Sequence, residues 1–382
     1  MSKLEQLIEE LCPNGVEYIA LENLCKTNIS PKKIPSNDVK DTGKYPVIDQ
    51  GANFISGFTD NEQALLGLNK YIIFGDHTEI IKYVDFDFAQ GADGIKILTA
   101  MNCDCRYLYH AFSCKYTKKG KYTRHWSNAK KTLIPLPPLQ VQREIVRILD
   151  TFSEYTTELT TELTMRKKQY EYYRDNLFSF DSCEYEQRLL GEIGEVRMCK
   201  RILKEQTLDI GDIPFYKIGT FGKEANAYIS QELFEEYKSK YNYPKIGDVL
   251  ISASGTIGRT VVFDGKDAYF QDSNIVWIEN DESIVLNKYL FHFYKIAKWY
   301  IAEGGTIQRL YNDNLKKTNI LVPYPNDKEK SLTEQQRIVD ILDRFDTLCN
   351  DISKGLPAEI ESRQKQYEYY RDKLLSFKNI ND

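Results

Sequence analysis

The chain has 382 residues, 42% hydrophobic and 28% charged, the composition of an ordinary folded protein long enough for two or three cores. No apolar run approaches the ~20 residues that cross a membrane, and the start MSKLEQLIEE is too charged for a signal peptide, so a cytoplasmic protein is expected. A net charge of −5 argues mildly against a lone nucleic-acid binder, and the eight cysteines, without a CxxC pair or a histidine at finger spacing, point to free thiols and not to a zinc site.

In chain order, Leu4, Leu7, Ile8 and Leu11 mark a short amphipathic helix that ends at the breaker Pro13-Asn14-Gly15. A segment of short apolar runs follows, at 71–74, 83–88 and 95–98, punctuated by Gly, Asp and Asn, which predicts short strands and turns up to the cluster Pro135-Leu136-Pro137-Pro138. Next, Ile145, Leu149, Phe152, Thr156, Leu159, Leu163, Arg166, Tyr170, Tyr173 and Leu177 recur at steps of four and three. That is a coiled-coil seam of five heptads, a rod of ~60 Å at ~1.5 Å per residue. From about 184 to 325 the strand pattern returns at 248–252, 259–263 and 274–278, with helical patterns at 231–240 and 286–302.

The chain then repeats itself. Residues 166–180, RKKQYEYYRDNLFSF, recur at 363–377 as RQKQYEYYRDKLLSF, identical at 12 of 15 positions. Residues 142–152, QREIVRILDTF, recur at 335–345 as QQRIVDILDRF, identical at 7 of 11. The second seam is Ile338, Leu342, Phe345, Cys349, Ile352 and Leu356, then Tyr367, Tyr370 and Leu374. Its early residues lie 193 positions after the first copy and its late ones 197. The four extra residues read as a stutter, and Gly355-Leu356-Pro357 predicts a kink or short break there. A repeat of half the chain has the size of a domain plus a helix. The expectation is an α+β protein with a pseudo-twofold internal repeat, its two long helices paired as an antiparallel coiled coil between two diverged domains. The boundaries are 1–138 for the first domain with its short helix, 139–180 for the central helix, 181–325 for the second domain and 326–382 for the distal helix.

These residues resemble the specificity subunit of type I restriction-modification systems: the doubled QYEYYRD, the helix starts REIVRILD and QRIVDILD after a proline-rich exit, and the tandem TTEL at 156–163. Tyr45-Pro46-Val47-Ile48-Asp49-Gln50-Gly51 and Phe74-Gly75-Asp76-His77 resemble that family's target-recognition domains, while Ser254-Gly255-Thr256-Ile257-Gly258-Arg259 stands where the second domain departs from the Gly-Asp-His type. The resemblance implies two recognition domains that each read half of a split DNA sequence, with conserved helices that set their separation and dock two modification (methyltransferase) subunits. It places S-adenosylmethionine, ATP and Mg2+ on partner subunits, restriction/translocase subunits among them, and none on this chain.

No catalytic residue stands out. An adenine methyltransferase needs an NPPF-like tetrapeptide and a Gly-rich loop, and a translocase needs GxxxxGK[ST]; neither pattern occurs. DNA contact is expected from the basic, aromatic-interleaved run with Lys118, Lys119, Lys121, Arg124 and His125, together with His77. In the second domain Ser254, Thr256, Arg259, Gln271, Asn274 and Arg309 offer matching donors and acceptors. Tyr172 and Tyr369 lie off the seam, and with Arg174 and Arg371 they are the expected docking residues. The rival readings are a fused methyltransferase or nuclease with degenerate motifs and a two-headed protein-binding scaffold.

Overall fold

The computed structural model describes residues 3–180, 184–301, 308–351 and 353–381. They form two compact units, one of 1–160 with 359–382 and one of 161–358.

The first unit opens with α1 (Lys3–Leu11), β1 (Glu17–Ala20), α2 (Leu21–Leu24) and β2 (Cys25–Asn28). Strands β3 (Tyr45–Ile48), β4 (Gly57–Thr59), β5 (Tyr71–Gly75), β6 (Ile81–Val84), β7 (Ala89–Gln90) and β8 (Ile95–Ala100) follow, then α3 (Cys105–Lys115), α4 (Trp126–Ala129) and β9 (Leu133–Leu136). Helix α5 (Leu139–Leu177) leads into the second unit. That unit contains β10 (Tyr185–Leu189), α6 (Leu190–Ile193), β11 (Gly194–Arg197), β12 (Ile213–Tyr216), β13 (Tyr228–Ile229), α7 (Gln231–Lys240), β14 (Val249–Ser252), β15 (Thr260–Val262), β16 (Tyr269–Phe270) and β17 (Ile275–Asn280). Last come α8 (Asn287–Tyr294), α9 (Asn312–Lys316), β18 (Asn319–Pro323), α10 (Lys328–Asn350) and α11 (Leu356–Leu374).

Every sheet of the first unit has a counterpart in the second. The orders β1-β9, β2-β8-β5-β6 and β4-β3-β7 are matched by β10-β18, β11-β17-β14-β15 and β13-β12-β16. Even the parallel pair recurs, β3 with β7 and β12 with β16. Helix α7 is an addition, standing where the first unit has a 3-10 turn at Glu62–Ala64. The central strands are buried on both faces, which explains their unbroken apolar runs. Ile72 and Phe74 of β5 pack with Leu98 under α3, whereas Tyr71 and Ile73 join Ile95 and Ile97 in a second core. In β14 and β17 the alternation is the same: Val249, Ile251, Val276 and Ile278 face one core, and Leu250, Ile275 and Trp277 the other.

Each unit pairs the doubled helices antiparallel. In the first, Phe152 of α5 stacks on Tyr370 of α11 at 5.3 Å, and Tyr155 meets Arg363 and Glu359. In the second, Phe345 of α10 stacks on Tyr173 of α5 at 5.5 Å, the same contact with the copies exchanged. The seam residues Ile145, Leu149, Leu159 and Tyr170 are buried as the heptads require.

Two expectations change. The short break expected at Gly355-Leu356-Pro357 separates α10 from α11, so the four-residue excess is not a stutter in a continuous helix. The carboxylate of Asp351 accepts the amides of Ser353 and Lys354, and a Cβ on Gly355 would sit 2.4 Å from the Thr347 carbonyl, so glycine alone fits the turn. Ile352 of the predicted seam lies outside the described residues. The pattern at 286–302 yields only α8, because the amides of Lys295 and Ile296 fold back on the carbonyls of His292 and Phe293 and tighten the last turn; Ala302 lies outside the described residues.

Candidate nucleic-acid interface

The β5–β6 hairpin and the loop between α3 and α4 build the first site. Asp76, buried at the end of β5, accepts the amides of His125 and Trp126 with one carboxylate oxygen, at 2.9 and 2.8 Å, and so caps α4. This anchor brings Arg124 beside His77 on the wall of an open cleft of about 620 Å³. The other walls come from Asn28 at the end of β2 with Ser30 and Lys33 beyond it, Gln50 after β3, Asp93 at the β7–β8 turn and Lys96 in β8. Gly94 holds φ +103° there, and a side chain on it would strike the Gln50 amide. Tyr122 stacks on the His77 ring at 5.0 Å, and Nδ1 of that ring has no protein partner.

The basic run is held from beneath by Glu79, which is 2% exposed. Its carboxylate accepts the Lys119 and Gly120 amides and the Tyr116 hydroxyl, and lies 3.4 Å from Nδ1 of His125. Burial pushes the Glu79 carboxyl up, but those hydrogen bonds, with the neighbouring His125, together outweigh it and leave it below its ordinary value. Lys118, Lys119, Lys121 and Arg124 are exposed on this loop. His125 is buried instead, with Nε2 bonded to the Lys121 carbonyl at 2.6 Å, which makes it a fastener of the loop.

The second unit has a cleft in the same topological place. The Leu310 amide bonds the Ala253 carbonyl as the His125 amide bonds that of Asp76, and the Ala253 amide bonds Asn274 as that of Asp76 bonds Gly94. By this correspondence Ala253 replaces Asp76 and Arg309 is the counterpart of Arg124. Gln271, Asn274 and Arg309 line the cleft with Arg201, Lys204 and Lys217. Behind them the Ser254 hydroxyl donates to Oδ1 of Asn274 at 2.7 Å, and Arg309 reaches the same atom at 3.3 Å. Thr256 and Arg259 lie on the β14–β15 turn, where the Arg259 guanidinium donates to the Phe221 carbonyl at 3.0 Å. Lys33, Lys96, Arg201, Lys204 and Lys217 carry no local signal in the sequence, and only the sheet order brings them to these clefts.

On the helices, Tyr172 and Tyr369 are 65% and 63% exposed, so both copies present the same tyrosine to solvent. Arg174 pairs with Asp175 and covers the Tyr170 ring, and Arg371 does the same with Asp372 and Tyr367. No helix among the described residues is long and apolar enough to cross a membrane, and none of their His, Cys, Asp and Glu side chains cluster as metal ligands.

A fold in two matched copies, each with a basic cleft made of loops, is that of a double reading module. The model for the type I restriction modification DNA specificity domain matches this chain twice, at residues 13–166 and 183–362. A putative type I restriction enzyme specificity subunit of Haemophilus influenzae is 48% identical over 98% of both chains, and a type I restriction enzyme specificity subunit of Escherichia coli is 35% identical over 99% of this chain and 97% of its own. The crystal structure of the S subunit of a type I system from M. genitalium shares the fold, with a TM-score of 0.57 over 94% of this chain and 96% of that one at 16% identity. The chain belongs to the type I restriction-modification DNA specificity family. Its role is therefore recognition and not catalysis; the enzyme and scaffold alternatives find no support in these comparisons.

Proposed function

We propose that the chain reads a bipartite, asymmetric DNA target in the cytoplasm, one half through each cleft, and docks two modification subunits on its paired helices. The observation that carries this reading is that two units of matching sheet order hold an arginine at the same cleft position, Arg124 and Arg309, while the residues around it differ. Equal geometry suits two stretches of the same duplex, and unequal linings suit two different sequences. The recognition domains are 1–138 and 181–325, and the helical segments 139–180 and 326–382.

In this reading Arg124 and Arg309 read base edges, with His77, Gln271 and Asn274 as donors and acceptors beside them. Lys118, Lys119 and Lys121 neutralise phosphates, and Thr256 and Arg259 approach the backbone from the hairpin turn. His125 and Ser254 act through the residues they hold. Tyr172 with Arg174 and Tyr369 with Arg371 are the docking anchors, one pair per modification subunit. S-adenosylmethionine, ATP and Mg2+ are carried by those subunits and by the restriction/translocase subunits of the full complex, which also supply basic surface that a chain of net charge −5 lacks. Exchange of residues 17–138 for those of another family member, followed by methylation mapping, tests the reading: one half of the target changes and the other stays. A change in both halves refutes independent reading.

A further inference from the structure

In each unit a buried histidine joins three helices. His110 of α3 is 1% exposed; its Nε2 lies 2.9 Å from the Asp150 carboxylate of α5, and its Nδ1 lies 3.2 Å from the Tyr367 hydroxyl of α11. His292 of α8 is fully buried, with Nε2 2.7 Å from Asp343 of α10 and Nδ1 3.5 Å from the hydroxyl of Tyr170 of α5. The histidines come from the diverged domains, whereas Asp150 and Asp343, like Tyr170 and Tyr367, are equivalent residues of the doubled helices. A neutral imidazole has one donor and one acceptor, and the node supplies one of each partner, a carboxylate that can only accept and a phenol that can donate. Burial holds both histidines below their ordinary pKa against the pull of the carboxylates, and raises Tyr367 to about 12, so these protonation states persist at neutral pH.

We propose that His110 and His292 are positioning residues for DNA reading, each fixing the angle of its recognition domain on the helix pair and thereby the gap between half-sites that the protein accepts. The inference rests on the split-target reading. Leverage makes the angle matter: a tilt of ~10° over the ~20 Å scale of such a domain displaces its cleft by ~3.5 Å, close to the ~3.4 Å rise of one base pair. Apolar packing alone is not directional, whereas two hydrogen bonds to two different helices fix an orientation. Helix α3 runs directly into the loop that carries Arg124, so the constraint reaches the cleft.

The test maps methylation in cells that carry the complete system, for wild type, Tyr367→Phe, Tyr170→Phe and His110→Leu. The phenylalanine variants remove one hydroxyl each and keep the ring. The expected result is unchanged half-sites, with targets one base pair longer or shorter in the gap methylated at least tenfold more than by wild type. Methylation lowered equally at every gap length, or discrimination left intact in both phenylalanine variants, overturns the proposal and reduces the nodes to stabilising contacts. Should His110→Leu fail to fold, the phenylalanine variants decide. An ungapped wild-type target overturns the split-target reading itself, and this proposal with it.

Discussion

Glu79 grips the main-chain amide of Lys119 with both carboxylate oxygens, at 2.8 and 3.0 Å. A buried acid thus gives shape to a loop whose exposed charge is positive. In Glu79→Gln one acceptor oxygen becomes the NH2 of a side-chain amide, a donor facing the Lys119 and Gly120 amides, at ~1–3 kcal/mol for a lost charge-assisted bond. Trypsin should then cleave after Lys118, Lys119 and Lys121 several-fold faster than in wild type. Because the folded carboxyl lies below its ordinary value, its contribution is complete above the ordinary carboxylate range and is lost as pH falls through the folded value. Equal cleavage rates would show that the loop keeps its shape without the acid.

The two kinds of cation on that loop should fail differently. Arg124→Ala should cost ~1–3 kcal/mol and relax selectivity at one base pair of the first half-site. Lys118→Ala should weaken binding to all sequences and reduce the salt slope by about one. A gel-shift series over salt and over single-base variants separates them, and a pure salt effect of Arg124→Ala removes its base-reading role.

Acid should destabilise the fold earlier than carboxylates alone explain. His110 is faced by Asp150 of α5, Arg106 and Tyr109 of α3, and Tyr367 and Arg371 of α11; burial, the largest influence, keeps it below its ordinary value. His292 behaves alike. The unfolded chain therefore takes up more protons than the native one once pH drops below the ordinary histidine value, so stability declines from there downward. Glu144, held at about 2 by hydrogen bonds from Arg147 and Lys3, adds a second decline below the ordinary carboxylate range. Urea midpoints should fall between pH 7.5 and 5.5, and His110→Gln should flatten that slope; an unchanged slope would mean that the imidazole does not titrate on unfolding.

The boundary between the two compact units falls between Thr160 and Thr161, inside the tandem TTEL of α5. One more TTEL after Leu163 lengthens the helix by ~6 Å and turns the downstream residues by ~400°, a net ~40°. One base pair advances ~3.4 Å and turns ~34–36°, so the rotations nearly agree and DNA bending absorbs the length. Methylation mapping should find both half-sites kept and the gap widened by one base pair. Two added residues rotate the seam by ~200° and should abolish assembly. An unchanged gap in the four-residue variant refutes the helix as a ruler.

What could be read from the sequence was whatever is local or doubled. The seam from Ile145 to Leu177 and the copies of QYEYYRD fix the helices because heptads and near-identity need no partner information. That the two domains are diverged copies follows from the repeat, but their strand-by-strand match lies in pairings such as Val47 with Ala89 and Phe215 with Tyr269, which sequence spacing does not encode. The clefts were half visible. Arg124 stood out within a basic run, but Lys33 and Lys217 sit in unremarkable loops and gain meaning only from the strands that carry them. Gly355-Leu356-Pro357 spells the break by its residue types, whereas the heptad count alone reads the same four residues as a stutter, because counting residues cannot tell a turn from an extra helical step.

The way each unit is closed sets up an asymmetry in time. In the second unit the chain itself runs from Phe180 through 181–183 to Glu184, whose carbonyl accepts the Tyr324 amide. The first unit makes the equivalent junction between distant parts of the chain: the Val16 amide bonds the Lys378 carbonyl, that of Ile380 bonds Val16, and the Tyr18 hydroxyl bonds Phe377. A covalent junction reforms at once after a local fluctuation, whereas two segments far apart in the chain that come away must find each other again. Deuterium should enter at Val16 and Ile380 well before it enters at Tyr324, and the same two amides should be the first to report any strain that DNA places on the first reader.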